Sequence, residues 1–156
     1  MSRGAVTSGE KPMNAIASQM RPRGAHWNVP EAFVGVLTIV AVSNTKDAAP
    51  RLRAVHAFVQ RSPFLAGLGE QGLVQIHADA VNRIAEAGGA ALEQACAVLP
   101  SQMRSSMYAA CFDILARSGV LSARDRELAN LLAGLLHIEA GLAQNIENVL
   151  LVKNRF

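Results

Sequence analysis

Apolar residues at helical spacing run through most of the chain, and this pattern limits its fold more than any other feature. Between Pro30 and Lys153, apolar side chains recur every three or four positions, and no segment alternates apolar and polar residues as a half-buried strand would. Hydrophobic residues make up 51% of the chain and aromatic residues only 4%, a mixture that favours helices packed through small and aliphatic side chains. The sequence therefore predicts an all-α domain.

Residues that begin or end helices divide this region into about seven segments. Gly88 suits the end of one helix, and Ser122 with Asp125 forms a capping-box-like start for another. Asp47 and Ser101 are expected to cap two more helices. The predicted helices cover about residues 30–42, 47–61, 70–87, 90–98, 101–118, 122–138 and 139–153. Together they predict one compact bundle.

The apolar positions of these helices predict which side chains face the core. Trp27 is expected to cover the edge of the core at the start of the domain. The residues expected to be buried where the central helices meet are Ile39, Leu131, Leu132 and Leu135. The residues expected to face inward from the last helix are Leu142, Ile146, Val149 and Leu150.

Residues 1–28 differ from the rest in composition and charge. They mix Gly, Ser, Pro, Arg and Met without sustained periodicity, as a flexible tail does. The tail region holds four of the 15 basic side chains and one of the 12 acidic ones, which leaves 11 of each sign in the remainder. We therefore expect a basic tail over 1–28 and a helical domain over 29–156. The neutral domain is not expected to bind nucleic acid, and the tail should give at most weak contact with an anionic membrane.

The chain shows no pattern typical of a secreted, membrane-spanning or catalytic protein. Its most apolar stretch, residues 32–42, is about half the roughly 20 residues that a membrane span needs. Its four histidines lack the spacing of a helical zinc site, and no nucleophile elbow or phosphate-binding loop occurs. Cys96 and Cys111 are expected to be buried in helices. We expect a cytoplasmic, non-enzymatic protein without a cofactor.

Two segments that lie 75 positions apart resemble each other. In each, a helix ends at a serine, a capping residue follows four positions later, and an arginine then takes an equivalent place. These residues are Ser43, Asp47 and Arg51 in the first segment and Ser118, Ser122 and Arg126 in the second. The repetition predicts two related helix–loop–helix hairpins packed in one core.

The second hairpin resembles the TerB-like tellurite-resistance family. Residues 118–128 read Ser-Gly-Val-Leu-Ser-Ala-Arg-Asp-Arg-Glu-Leu, and a leucine-rich helix ending at Ile138 follows. The family pattern is Asp-Gly-x-Leu-Ser-x-x-Glu-Arg before such a helix. The motif resemblance covers about 118–138, and the helix arrangement is similar over about 29–153. The resemblance implies a bacterial, non-enzymatic interaction module with a protein partner, acting in stress response or tellurite resistance.

The resemblance also implies acidic loops that hold a divalent cation, and here the sequence departs from the family. Serines stand at the loop positions Ser43 and Ser118 where the family has Asp, and the shorter Asp125 replaces a Glu. Asp47, Asp125 and Glu127 remain as candidate metal ligands. Since Ca²⁺ and Mg²⁺ need several oxygen ligands, usually including carboxylates, we expect at most weak binding. The alternative function is a divalent-cation sensor or buffer with a degenerate acidic site.

Overall fold

The computed structural model describes residues 26–156, so all but the last three residues of the expected tail over 1–28 lie outside the described part. Within residues 26–156 the chain forms seven α-helices and a short 3-10 helix, with no strand. The α-helices are α1 (Val29–Val42), α2 (Ala48–Arg61), α3 (Gly69–Ala87), α4 (Gly89–Val98), α5 (Ser101–Leu115), α6 (Ala123–Leu135) and α7 (Ala140–Lys153), and the 3-10 helix is Ala66–Leu68. The prediction of an all-α bundle of about seven helices is confirmed.

Helix α1 forms the centre of the bundle because it is apolar almost all round. Every residue from Ala32 to Ala41 is buried, and helices α2, α3, α4 and α5 all pack against it. Thr38 is the polar residue in this buried run, and its hydroxyl donates to the Val34 carbonyl at 2.9 Å. Helix α1 is therefore the central helix of the bundle.

The two predicted hairpins are α1–α2 and α5–α6. The second helix of each hairpin packs against the first, and α5 also contacts α1, α2 and α7. Gly119, in the loop between α5 and α6, has a φ of 81°, a backbone conformation that favours glycine. The two hairpins thus share a core through α1 and α5.

Trp27 lies inside the core rather than at its edge. Its ring is buried and packs on Gly35 of α1, where an added Cβ would overlap the ring atoms. Arg83 of α3 lies over this ring, with its guanidinium 4.3 Å from the ring centre. Gly35 of α1 therefore leaves the space in which the Trp27 ring packs.

Several expected core residues instead face solvent. Leu131 of α6 and Leu142 and Val149 of α7 are exposed, whereas α6 buries Ala129 and Leu132. Both helices pack on α5 from the outside of the bundle, so only one row of side chains on each is covered. The prediction that Leu131, Leu142 and Val149 face inward is wrong for this reason.

The helix starts agree with the sequence in one case and differ in two. Ser122 and Asp125 form the predicted capping box at the start of α6. Ser101 is the first residue of α5 rather than its cap, because Pro100 takes the cap position. Asp47 precedes α2 as expected, but its side chain makes no capping bond and accepts instead from the Asn44 amide at 3.1 Å.

None of the helices in residues 26–156 is long and apolar enough to cross a bilayer.

Candidate functional site

A buried ion pair joins the second helices of the two hairpins. Arg51 of α2 donates from Nη2 to Oδ2 of Asp125 on α6 at 2.9 Å, and each side chain is 6% exposed. The same Asp125 oxygen accepts from the Ser122 backbone N–H at 3.4 Å, while Ser122 Oγ accepts from the Asp125 N–H at 3.0 Å. One carboxylate therefore serves both the start of α6 and the contact between the hairpins.

This pair fixes how the hairpins meet more than it adds stability. Taking two charges out of water costs several kcal/mol per ion, and the attraction between them offsets that cost only when the geometry is good. Arg51 Nη1 is buried and has no hydrogen-bond partner within the described part of the chain. That unpaired donor adds to the cost of burying Arg51, whereas a shift of α2 against α6 that separated Arg51 from Asp125 would leave both charges unpaired.

The three candidate metal ligands do not come together as a group of carboxylates. Asp125 is bound to Arg51, and Asp47 Oδ2 lies 3.9 Å from the same guanidinium nitrogen. Glu127 is exposed on α6. Across residues 26–156, no group of three or more His, Cys, Asp or Glu side chains is placed to hold a metal ion. At the place where the resemblance implies a cation, the guanidinium of Arg51 therefore lies beside two of the three candidate ligands, Asp47 and Asp125.

A second buried polar link joins α5, α6 and α7. The Tyr108 hydroxyl donates to Glu147 Oε1 at 2.7 Å, and Arg126 Nη1 donates to Glu147 Oε2 at 2.9 Å. Burial of the phenol, together with its bond to Glu147, raises the pKa of Tyr108 well above its usual value. The tyrosine therefore stays a protonated donor at neutral pH and is unsuited to act as a base.

A groove of about 350 Å³ lies between α2 and α3. Its floor is apolar, with Val59 of α2 and Leu73 of α3, and its polar side chains are His56, Gln60 and Glu70. His56 Nε2 and Gln60 Nε2 are 2.9 Å apart and share a hydrogen bond. This volume is at the small end for ligand pockets and suits one apolar side chain of a partner.

His77 of α3 forms a hydrogen bond with a buried residue of α1. Its Nδ1 lies 3.0 Å from the Thr38 hydroxyl. Burial, and then the charge of His56, lowers the pKa of His77. The imidazole is therefore neutral at pH 7 and holds α3 against α1.

The two cysteines are buried thiols without nucleophilic character. Cys96 and Cys111 are both free. Burial raises the pKa of Cys96 to about 11 and that of Cys111 well above its usual value. Since the thiolate is the reactive form, neither side chain is activated at neutral pH. The prediction that both are buried is confirmed.

The buried partners of both arginines are not evident from the sequence. Arg51 and Arg126 take equivalent places in the two similar segments, but the acids that bind them are 74 and 21 positions away. A signal existed for Glu147, because it lies four residues after Ala143 and three before Leu150 on the inner side of α7. An acid among apolar residues at helical spacing indicates a buried partner.

Comparisons of the chain with protein-family models, with curated proteins and with solved structures found no match. The TerB-like resemblance therefore remains a prediction from the residues of the 118–138 run.

Proposed function

We propose that the chain is a non-enzymatic, TerB-like interaction module that binds a protein partner in a stress response such as tellurite resistance. The observation that carries this proposal is an apolar row on the outer side of α3. Val74 and Val81 are exposed and lie two turns apart on this side of α3. The exposed Ala78 lies between them, and the exposed Ala85 follows one turn after Val81. A row of apolar side chains in solvent is typical of a surface that another protein covers.

The groove between α2 and α3 lies beside this row and adds a concave site to the apolar surface. Glu70 and Leu73, at the start of α3, line the groove, and Val74 follows directly. Phe64 is exposed just before the 3-10 helix and contacts Phe33 edge-on. An amphipathic helix of a partner would lay its apolar side along α3 and place one side chain in the groove.

The state of the polar groups supports binding rather than catalysis. Arg51, Asp125, Tyr108 and Glu147 hold helices together. None of these four residues lines the groove. A catalytic residue needs an accessible reacting atom and a matched pKa, whereas these four side chains are buried and bound in two separate pairs.

Site-specific photocrosslinking in bacterial cells that express this protein tests the proposal, and comparison with a strain that lacks the protein shows whether tellurite tolerance depends on it. A photoreactive residue at Val74 or at Val81 should give the same adduct of one discrete mass. The exposed Gln102 of α5 is the control and should give none. The substitution Val81→Arg should remove most of the adduct formed at Val74, because a charge would lie in the apolar row.

The same strains connect the surface to the stress response. Val74→Arg should lower tellurite tolerance to that of a strain without the protein, while Gln102→Arg should leave it unchanged. Equal labelling at Val74 and Gln102, or full tolerance in Val74→Arg, would contradict the proposal. Circular dichroism of each variant checks that it remains helical.

A further inference from the structure

The stretch that contains α3 and α4 is acidic, although the domain as a whole is neutral. Residues 62–103 hold one basic side chain, Arg83, against four acidic ones, Glu70, Asp79, Glu86 and Glu93. Arg83 is engaged with the Trp27 ring. Glu70 and Glu86 are exposed at the two ends of α3, and neither has an ion-pair partner among residues 26–156. Both carboxylates are therefore open to basic groups.

The apolar row of α3 runs between these two acids. Its members Val74, Ala78, Val81 and Ala85 are all exposed. The groove between α2 and α3 opens beside the start of the row, at Leu73. From its first to its last member the row rises about 17 Å. It therefore fits a short amphipathic segment that has one apolar side and a basic residue at each end.

Residues 11–23 of this chain, which precede the described part, have this pattern in their sequence. Four apolar residues recur at intervals of three, one and three positions, and so share one side of a helix: Met13, Ile16, Ala17 and Met20. Basic residues stand on both sides of this run, Lys11 before it and Arg21 and Arg23 after it. A helix rises about 11 Å from Met13 to Met20, the same rise as from Val74 to Val81.

The point at which the described part of the chain starts lies beside α3. Trp27 is buried against Gly35 of α1, and Arg83 of α3 lies over its ring. The seven positions from Met20 to Trp27 reach about 24 Å when extended. A helix with its side chains is about 10–12 Å across, so this connection is long enough to reach the apolar row. Because Arg83 lies in the second half of α3, the shortest connection places Met20 near the end of the row.

We infer that residues 11–23 dock along α3 of the same chain, parallel to that helix. Met13 enters the groove between α2 and α3, where an unbranched and adaptable side chain suits a small apolar site. Ala17 packs on Ala78 at the middle of the row, where two small side chains let the helices approach closely. Met20 packs on Val81.

The charges at the two ends of the segment match those of α3 in this arrangement. Lys11 lies near Glu70 at the start of α3, and Arg21 and Arg23 lie near Glu86 at its end. The reverse direction would also bring bases to acids, so the short connection to the core, rather than charge, sets the direction. Attraction between exposed charges is modest and weakens with salt. The apolar contacts therefore supply most of the docking free energy.

The covalent connection makes a weak contact sufficient. A short linker gives an effective concentration on the order of millimolar, so a segment whose dissociation constant is about 1 mM is docked about half of the time. The docked segment covers Val74 and Val81, so a partner of that surface has to displace it. This competition rests on the proposed function, whereas the docking itself does not.

Disulfide formation in the purified full chain tests the docking. Ala17→Cys combined with Ala78→Cys should link within the chain on mild oxidation, because Cys96 and Cys111 are buried. The control combines Ala17→Cys with Ala90→Cys, since Ala90 is exposed at the start of α4, just after α3 ends. The first pair should link at least about tenfold faster than the control pair, because docking raises its effective concentration. Equal rates would overturn the inference.

Two substitutions of equal charge show whether the apolar side of the segment is responsible. Ile16→Asp places a carboxylate on that side and should reduce the linking rate of the first pair to that of the control pair. Ser18→Asp places the same charge on the opposite side of the helical segment and should leave the preference unchanged. A preference that survives Ile16→Asp would contradict the inferred docking.

Photocrosslinking at Val74 in cells tests the competition with a partner. Ile16→Asp should raise the yield of the partner adduct by about twofold, because the half of the surface that was covered becomes free. Ser18→Asp should leave the yield unchanged. Selective linking to Ala78→Cys without any partner adduct would support the docking and contradict the proposed function. A partner adduct without selective linking would overturn the docking and leave the proposed function standing.

Discussion

Replacing Arg51 by methionine isolates the ion pair that joins the two hairpins. Methionine keeps a long, unbranched side chain in the same space but removes the guanidinium. Asp125 would then remain buried, with only the Ser122 capping bonds to its carboxylate and backbone. Breaking a buried pair from one side costs about 3–5 kcal/mol, because an uncompensated charge remains. We expect Arg51→Met to lower the free energy of unfolding by about that amount.

Burial decides this magnitude, and the chain contains a suitable comparison. The Arg51–Asp125 distance is 2.9 Å, and the Lys153–Asp113 distance is 2.7 Å. The two pairs have similar geometry, but Lys153 is 56% exposed. An exposed pair contributes about 1 kcal/mol or less, since water and salt screen it. Lys153→Met is therefore the control and should have only a small effect.

Urea unfolding at pH 7 measures the free energies that this comparison needs. The double variant Arg51→Met with Asp125→Asn removes both charges and keeps an amide that can still cap α6. It should lose less stability than the sum of the two single variants, by about 0.5–3 kcal/mol. A loss below about 1 kcal/mol for Arg51→Met, similar to that of Lys153→Met, would mean that the pair is not desolvated and would refute the reasoning.

Three further predictions concern a glycine, a cation and a histidine. Gly35→Ala should lower the free energy of unfolding by about 1–3 kcal/mol, because the added Cβ would meet the Trp27 ring. Gly134→Ala, whose added Cβ has open space around it, should raise that free energy by about 0.5–1 kcal/mol. Urea unfolding measures both changes. Calcium at about 1 mM should leave the melting temperature unchanged relative to chelator, and a shift of several degrees that Asp125→Asn abolishes would restore the cation-sensor hypothesis. The free energy of unfolding should fall as the pH drops below about 6.5. The pKa of His77 is lower in the folded chain than in the unfolded chain, so protonation favours unfolding. His77→Gln should therefore reduce the dependence of the free energy of unfolding on pH.

Local signals explain why the helices could be predicted from the sequence. The capping box at the start of α6 involves Ser122 and Asp125, three residues apart, so both partners are visible in one short run. Gly88, with a φ of 56°, ends α3 for an equally local reason. Features decided within a few residues of sequence were therefore predictable.

Long-range pairing explains what could not be predicted at the site. Arg51 and Asp125 are 74 positions apart, and Tyr108 and Glu147 are 39 apart. The spacing of residues on one helix gives the angle between them but not the neighbour that each will meet. The candidate cation ligands Asp47 and Asp125 were identified by resemblance, and the arginine beside them was not recognised as their partner.

The same kind of long-range pairing sets the rotation of α7 about its axis. Glu147 accepts from Tyr108 and Arg126, so the inner side of α7 is fixed by two directional bonds. Turning the helix by about 100°, one residue position, to bury Val149 would break both bonds and leave buried polar groups unpaired. Each buried polar group left unpaired costs about 1–3 kcal/mol, so several such groups together offset the gain from covering one valine, which is about 1.5–3 kcal/mol when complete. The polar link therefore holds Leu142 and Val149 in solvent.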